Sequence, residues 1–314
     1  MRKIRVVHHG VAHDHSGATM ECAKAHPEVF EIVGIVEPDE AMWAEYGSHP
    51  AYADVPRMTE EELFSRKDID AVFVEGHELR SVSDAQKCID HGLHVHLDKP
   101  GGVDLAAFER LLTTAEEKNL TLQMGYMYRW NPAMKYAIDA VKSGKLGTVT
   151  AIDGTFSILH DENKRRWLRQ FPGGMMFYIG CHVIDMILML NGMPTAVHAY
   201  NRDSGFCNDG SMDNGFAVLD YPHGVCTART NATEVNGYTR RQLMIAGTGG
   251  SILIQPLESP TLMRETLYGD GPMNNKCIDQ SQGIFPGFLI GRYDDMLLEF
   301  AACVSIRGGR NIPT

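Results

Sequence analysis

Two hydrophobic rhythms alternate through the first 125 residues, and that alternation constrains the fold more than any other feature of the chain. Short β-branched runs stand at "IRVV" (4–7), "EIVGIV" (31–36), "DAVFV" (70–74), "LHVHL" (93–97) and "LTLQMG" (120–125), and stretches with helical spacing lie between most of them, at 16–26, 79–91 and 104–119. A strand period of two and a helix period of 3.6 cannot share one segment, so each run commits to one element. Strands separated by helices of this length need crossover connections, which make a parallel sheet covered on both faces. The pattern predicts an α/β, Rossmann-like doubly wound domain over 1–125.

Beyond it the rhythm changes. Helical segments are expected near 132–143 and 174–191, and strands at 195–201, 215–221, 224–231, 240–246 and 251–255, with turn signals at "YPHG" (221–224) and "GTGG" (247–250). Consecutive strands joined by tight turns predict a large open, mostly antiparallel sheet in an α+β domain over 126–314, a substrate and oligomerisation domain. Residues 258–290, rich in Gly, Pro, Asn and Asp, read as an irregular excursion. A final helix is expected at 293–306, able to return to the first domain.

A chain of 314 residues exceeds what one core ordinarily supports, in line with two domains. The formal charge of −11 speaks against a nucleic-acid partner, whose phosphates are neutralised by lysine and arginine. Seven scattered cysteines without CxxC spacing point to reduced thiols and a cytoplasmic location. No apolar run approaches the roughly 18 residues of a membrane span, and "MRKIRVVHH" (1–9) is too short and polar for a secretory signal. Asn231-Ala232-Thr233 is then a chance glycosylation match.

Dinucleotide folds hold the pyrophosphate at the turn after the first strand, where glycines admit the backbone and a helix N-terminus supplies N–H groups. Here that turn contains Gly10, Ala12, His13 and His15. Gly10 matches the GxGxxG pattern, Ala12 is a modest substitute, and His15 occupies a place normally reserved for a small residue. Glu37, at the end of the second strand, can accept hydrogen bonds from adenosine ribose hydroxyls and would repel a 2′-phosphate, which favours NAD over NADP. A solvated strand-end acid is the alternative.

The segment "DAVFVEGHELRSVSDAQKCIDHGLHVHLDKPGG" resembles the strand-closing region of the glucose-fructose oxidoreductase / inositol dehydrogenase (Gfo/Idh/MocA) family, with Asp98-Lys99-Pro100 as a DKP variant of its EKP motif. "MGYMYRWNPA" (124–133) is similar to the family's inter-domain junction, and "GGMMFYIGCHVIDMILMLNG" (173–192) to its histidine-bearing helix. The resemblance implies an NAD(P)-dependent oxidoreductase acting on a sugar, cyclitol or related polyol, and a homodimer or homotetramer. It also implies cofactor contacts at Gly76 and His77, where the family's "TPN" stands, and at Asp98, Lys99 and Pro100. The family continues with a further helix past "PT", so the sequence is expected to be trimmed or to lack it.

The residues support this chemistry directly. Lys99, at the carboxyl end of a parallel strand, can stabilise the alkoxide-like charge that develops as hydride leaves carbon. Pro100 ends the strand, and Asp98 can orient the ammonium or remain solvated. On the later helix, Tyr178, His182 and Asp185 follow i,i+4 and i,i+3 spacing and are expected to share one face. The family typically has aspartate where Tyr178 stands, and a phenol titrating near ~10 is a poor base at neutrality. His182 would then shuttle the proton, with Asp185 orienting it and Tyr178 touching substrate. The same departure motivates an alternative, a non-catalytic or regulatory ligand-binding homologue.

Tyr126, Arg129 and Trp167 are candidate substrate contacts; Arg129 and Trp167 read equally well as a polar helix face and a packing anchor. His8, His9, His13, His15, His94 and His96 crowd two strands. No carboxylate or thiolate falls at recognised ligand spacing beside them, so no metal site is expected and the histidines are read as lining the cofactor crevice.

Overall fold

The computed structural model describes residues 2–258, 260–268, 277–285 and 293–308. They form two compact units, one of the described residues up to Tyr126 together with those from Tyr293 onward, and one of the described residues between them. Residues 309–314, and most of the part of 258–290 that lies outside strands, fall outside the described residues.

The first unit carries β1 (Ile4–His9), α1 (Ser16–Ala25), β2 (Phe30–Val36), α2 (Glu40–Tyr46), α3 (Glu60–Ser65), β3 (Ala71–Val74), α4 (Ser81–Asp90), β4 (His94–Leu97), α5 (Leu105–Glu117) and β5 (Leu122–Met124). The five strands pair in the order β2-β1-β3-β4-β5, all in parallel. The direction of winding changes at β1 and β3, and open α/β sheets take ligands beyond the carboxyl ends of such a pair. Val7, Val72, Val74, Val95 and Leu97 are buried with Val82, Ala85 and Ile89 of α4 and Leu111 of α5. Val11, Met20, Ile35 and Tyr52 form a second apolar cluster. Each fully buried aliphatic side chain of this kind contributes about 1.5–3 kcal/mol. The short α2 and α3 are capped by Asp39 and by a Thr59/Glu62 capping box.

The second unit contains α6 (Pro132–Lys142), β6 (Val149–Thr155), α7 (Glu162–Trp167), α8 (Met175–Tyr178), α9 (Gly180–Asn191), β7 (Ala196–Arg202), β8 (Asn214–Tyr221), β9 (Gly224–Asn231), β10 (Gln242–Gly247), β11 (Gly250–Ile254), β12 (Thr261–Tyr268) and β13 (Cys277–Phe285). Its sheet runs β13-β12-β11-β10-β6-β9-β8-β7, antiparallel except between β6 and β9. The helix α10 (Asp294–Arg307) belongs to the first unit.

Two sequence expectations are corrected here. Residues 258–290 include β12 and β13 rather than being irregular throughout. The alternation of β12 is masked because its buried positions include Thr261 and Glu265; Glu265 is satisfied by the Tyr136 hydroxyl and Lys145. The segment 174–191 is two helices broken at Ile179 (φ −107°, ψ −38°), not one. Gly174, with φ +51°, lies where a Cβ would come within 2.2 Å of the Met212 carbonyl oxygen, so only glycine admits the entry to α8.

Candidate active site

Gly10 ends β1 with φ +92°, and a Cβ there would stand 2.2 Å from the Cα of Gly76, which follows β3 closely. The two strand ends at the winding change therefore meet backbone to backbone. The chain then turns inward. His13 donates from Nε2 to the Lys99 carbonyl (2.9 Å) and accepts the His15 backbone N–H at Nδ1 (3.1 Å), which fixes it as a neutral tautomer. Burial pushes its pKa down to about 3, against the pull of Asp98. His15 approaches the Asp98 carboxylate with Nδ1, at 3.0 and 3.2 Å. Its ring also meets Tyr293 edge-on, with centroids 5.7 Å apart. The bulky residue in the third glycine position is thus folded away into a polar socket.

His15 provides no side-chain cap for α1, leaving first-turn N–H groups of that helix to other acceptors. Ser16 anchors the turn from below: its hydroxyl accepts from Tyr52 (2.7 Å), bonds His8 Nε2 (2.7 Å) and donates to the Gly10 carbonyl (3.3 Å). Glu37, only 3% exposed, accepts from the backbone N–H groups of Val11 and Asp39, both at 3.0 Å. Arg80 approaches it at 3.5 Å. Glu37 therefore shapes the loop as well as standing at the expected strand end. His77 is half-buried and accepts the Leu79 N–H at 3.2 Å.

Lys99 is 1% exposed, an unusual place for an ammonium. Its backbone N–H donates to Asp98 Oδ1 (2.6 Å), its carbonyl accepts from His13, and its peptide to Pro100 is cis. Asp98 is buried as well. Burial opposes its charge, but the His15 imidazole and the Lys99 cation hold its carboxyl well below the usual carboxylate range. A groove of about 980 Å³ between α4 and α5, lined by Val82, Gln86, Gly102, Ala107 and Arg110, includes none of these residues.

In the second unit, His182 is buried on α9, edge-on to Tyr128 (4.9 Å between centroids) and beside Phe156 (5.9 Å). Asp185 does not hold it. Its carboxylate receives Arg129 through Nε (2.9 Å) and Nη2 (2.5 Å), a bidentate pair. Burial raises the Asp185 pKa, with Arg129 opposing. Tyr178 does not share the helix of His182. It packs in an aromatic cluster with Trp167 (5.0 Å) and Phe171 (6.2 Å), with the Lys164 ammonium 4.6 Å from its ring. Trp167 is held by the same cluster, and Tyr126 is half-buried at the end of the first unit. Sequence reasoning overlooked the buried Tyr128–Glu258–Arg241 network, in which Arg241 reaches Glu258 at 2.7 Å. It also overlooked Glu75 and Gln123. The signal for Glu75 was its place after a wholly apolar strand, level with Asp98 on the next one.

Residues 4–126 match the oxidoreductase family NAD-binding Rossmann fold, and residues 134–253 match the GFO/IDH/MocA C-terminal domain. The chain is 26% identical over 261 residues to D-xylose 1-dehydrogenase (NADP(+)) 2 of Haloferax volcanii, covering 79% of this chain and 76% of that one. It is 30% identical over 137 residues to scyllo-inositol 2-dehydrogenase (NADP(+)) of Bacillus subtilis, covering 43% of this chain and 38% of that protein. Levoglucosan dehydrogenase, solved with NADH and levoglucosan, shares the fold with a TM-score of 0.81 at 18% identity, over 98% of this chain and 90% of that one. No helix among the described residues is long and apolar enough to cross a membrane. With both domains matched in order, the chain belongs to the Gfo/Idh/MocA family and is an NAD(P)-binding oxidoreductase.

Proposed function

We propose that the protein is an NAD-dependent dehydrogenase that moves a hydride between nicotinamide and a CH–OH or C=O carbon of a sugar, cyclitol or related polyol. The observation that carries this reading is Lys99, buried at the carboxyl end of β4 and fixed through its own backbone by His13 and Asp98. The substrate class rests on the relatives, named as dehydrogenases of xylose and scyllo-inositol.

The residues present suit a dinucleotide. The close approach of Gly10 and Gly76, the start of α1 without a side-chain cap, and Glu37 at the end of β2 would hold its pyrophosphate and adenosine ribose. When bound, the nicotinamide supplies or takes up the hydride. Lys99 Nζ would donate to the reacting oxygen and stabilise its developing negative charge. His182 would carry the hydroxyl proton on an imidazole nitrogen. Arg129, set by Asp185, would present its remaining N–H groups to a polar substrate. Glu37 favours NAD over NADP, because its carboxylate would repel a 2′-phosphate.

Titration of the full chain with NADH, followed by nicotinamide fluorescence, tests the cofactor reading, and turnover of NAD with a panel of aldoses and cyclitols tests the reaction. Saturable binding and turnover of at least one polyol are expected. Absence of binding at millimolar NADH would contradict the proposal and favour a protein that only binds ligands.

A further inference from the structure

Beneath the cofactor loop the fold assembles a second polar group, of which the dehydrogenase chemistry uses only Asp98. Glu75 directly follows β3 and Asp98 directly follows β4, so the parallel register sets these two level, and His96, two residues before Asp98 and opposite Phe73, points to the same face of β4. One nitrogen or oxygen from each lies within 4.8 Å of the others, and all three residues are buried. His96 Nε2 stands 3.8 Å from Glu75 Oε1.

The orientation of His96 is determined by its surroundings. Gln123 on β5 donates its amide to the Met296 carbonyl (3.0 Å), which turns its oxygen toward His96 Nδ1 at 2.8 Å. Nδ1 must therefore carry the proton, and the Nε2 lone pair is turned toward Glu75. A metal-ligating histidine is typically held in this way, its second nitrogen donating to an oxygen. Neither His96 Nε2 nor either oxygen of Glu75, which is 0% exposed, has a hydrogen-bond partner within 3.5 Å, although the Thr19 hydroxyl and the Asp98 carboxyl both act on Glu75. Orphaned buried acceptors of this kind cost free energy and call for an occupant.

We propose that Glu75, His96 and Asp98 form a binding site for a divalent first-row transition metal of the zinc type, with water completing the coordination. Ligand bonds of about 2.0–2.2 Å around a tetrahedral ion set neighbouring ligand atoms roughly 3.3 Å apart. The 3.8 Å between His96 and Glu75 closes to that by a small side-chain adjustment. One imidazole and two carboxylates suit zinc by donor type.

This inference is independent of the dehydrogenase reading, so its test uses the full chain stripped of metal by a chelator and free of nucleotide. Calorimetric titration with Zn²⁺ alone, with elemental analysis after gel filtration, is expected to show one equivalent bound. Glu75→Gln should weaken binding strongly, and Gln123→Leu, which removes only the oxygen holding His96, by about tenfold. His15→Ala, which removes a hydrogen-bond partner of the ligand Asp98 but no ligand, should weaken zinc binding no more than Gln123→Leu does. Circular dichroism establishes that each variant folds; should Glu75→Gln fail, the wild-type stoichiometry and Gln123→Leu decide. No retained zinc, or Glu75→Gln and Gln123→Leu both binding as wild type, would overturn the proposal. So would loss in His15→Ala alone, which would place the ion on the His13/His15/Asp98 group instead.

Discussion

His15 approaches Asp98 through Nδ1 at 3.0 Å, bringing the start of the first helix against the end of the fourth strand at a position where dinucleotide-binding loops ordinarily carry glycine. The contact is charge-assisted and buried, with the His15 side chain 12% exposed and that of Asp98 2%. His15→Ala leaves Asp98 with one donor fewer in a dry setting. The expected loss is about 1–3 kcal/mol of stability by urea denaturation. An unchanged midpoint and slope would show that the contact holds nothing together.

His8 provides a pH prediction. Burial, with His9 and His96 nearby, lowers its pKa from the ordinary histidine value of 6.5 to about 3. Above the unfolded value neither state binds the proton; below it the unfolded imidazole does and the folded one does not, so stability falls as pH falls. Between pH 7 and pH 5 this single group removes about 2 kcal/mol. His8→Gln keeps a donor for Ser16 and cannot titrate, so with a chelator present the wild type should lose about 2 kcal/mol more than the variant over that interval. Parallel stability curves for the two proteins would refute the assignment.

Glu37 governs the choice of nucleotide. Replacing it by serine removes the carboxylate that would face a 2′-phosphate while retaining a short hydrogen-bonding group. The ratio of kcat/KM for NADP to that for NAD is expected to rise about tenfold or more. An unchanged ratio would assign nucleotide choice elsewhere and leave Glu37 with loop shaping alone.

The Arg129–Asp185 pair yields a stability prediction in the second unit. Arg129→Leu strands a carboxylate whose side chain is 10% exposed. Because the Arg129 side chain is 37% exposed, solvent screens the pair, and the expected cost is about 1–2 kcal/mol. Denaturant unfolding measures it. No change in stability would mean that the pair serves substrate recognition only.

All five parallel strands of the first unit were legible in the sequence, most of them as short runs rich in β-branched residues; β3 and β4 are buried on both faces, whereas β5 is half-buried and has no β-branched residue. So were α6, the exposed strand β7 and the strands β8 to β11, whose one-sided burial keeps the alternation visible. The central strand β6 was not: "VTAIDGT" carries Asp153, paired with Thr227, and Gly154, whose missing Cβ admits Val183 of α9. Those needs are tertiary, and local propensity works against them. Lys99 and His182 stood out in the sequence because a charge at a strand end and an imidazole in an apolar helix are conspicuous, and both are buried. The partners were not. Spacing along one helix suggested Asp185 for His182, whereas the bidentate geometry of Arg129 claims that carboxylate. Likewise the carboxylates beside the buried histidines, Glu75 and Asp98, are 23 residues apart in the numbering and meet only through the pairing of β3 with β4.

The role given to Lys99 is tested most directly by comparing Lys99→Met with the wild type in two assays on the same preparation, NADH affinity by fluorescence and kcat with a polyol that the wild type oxidises. NADH affinity is expected to change little, whereas kcat falls about a hundred- to a thousandfold, the cost of removing one donor from a developing oxyanion. A variant that keeps wild-type turnover would contradict the assignment of Lys99 as the group that stabilises the reacting oxygen.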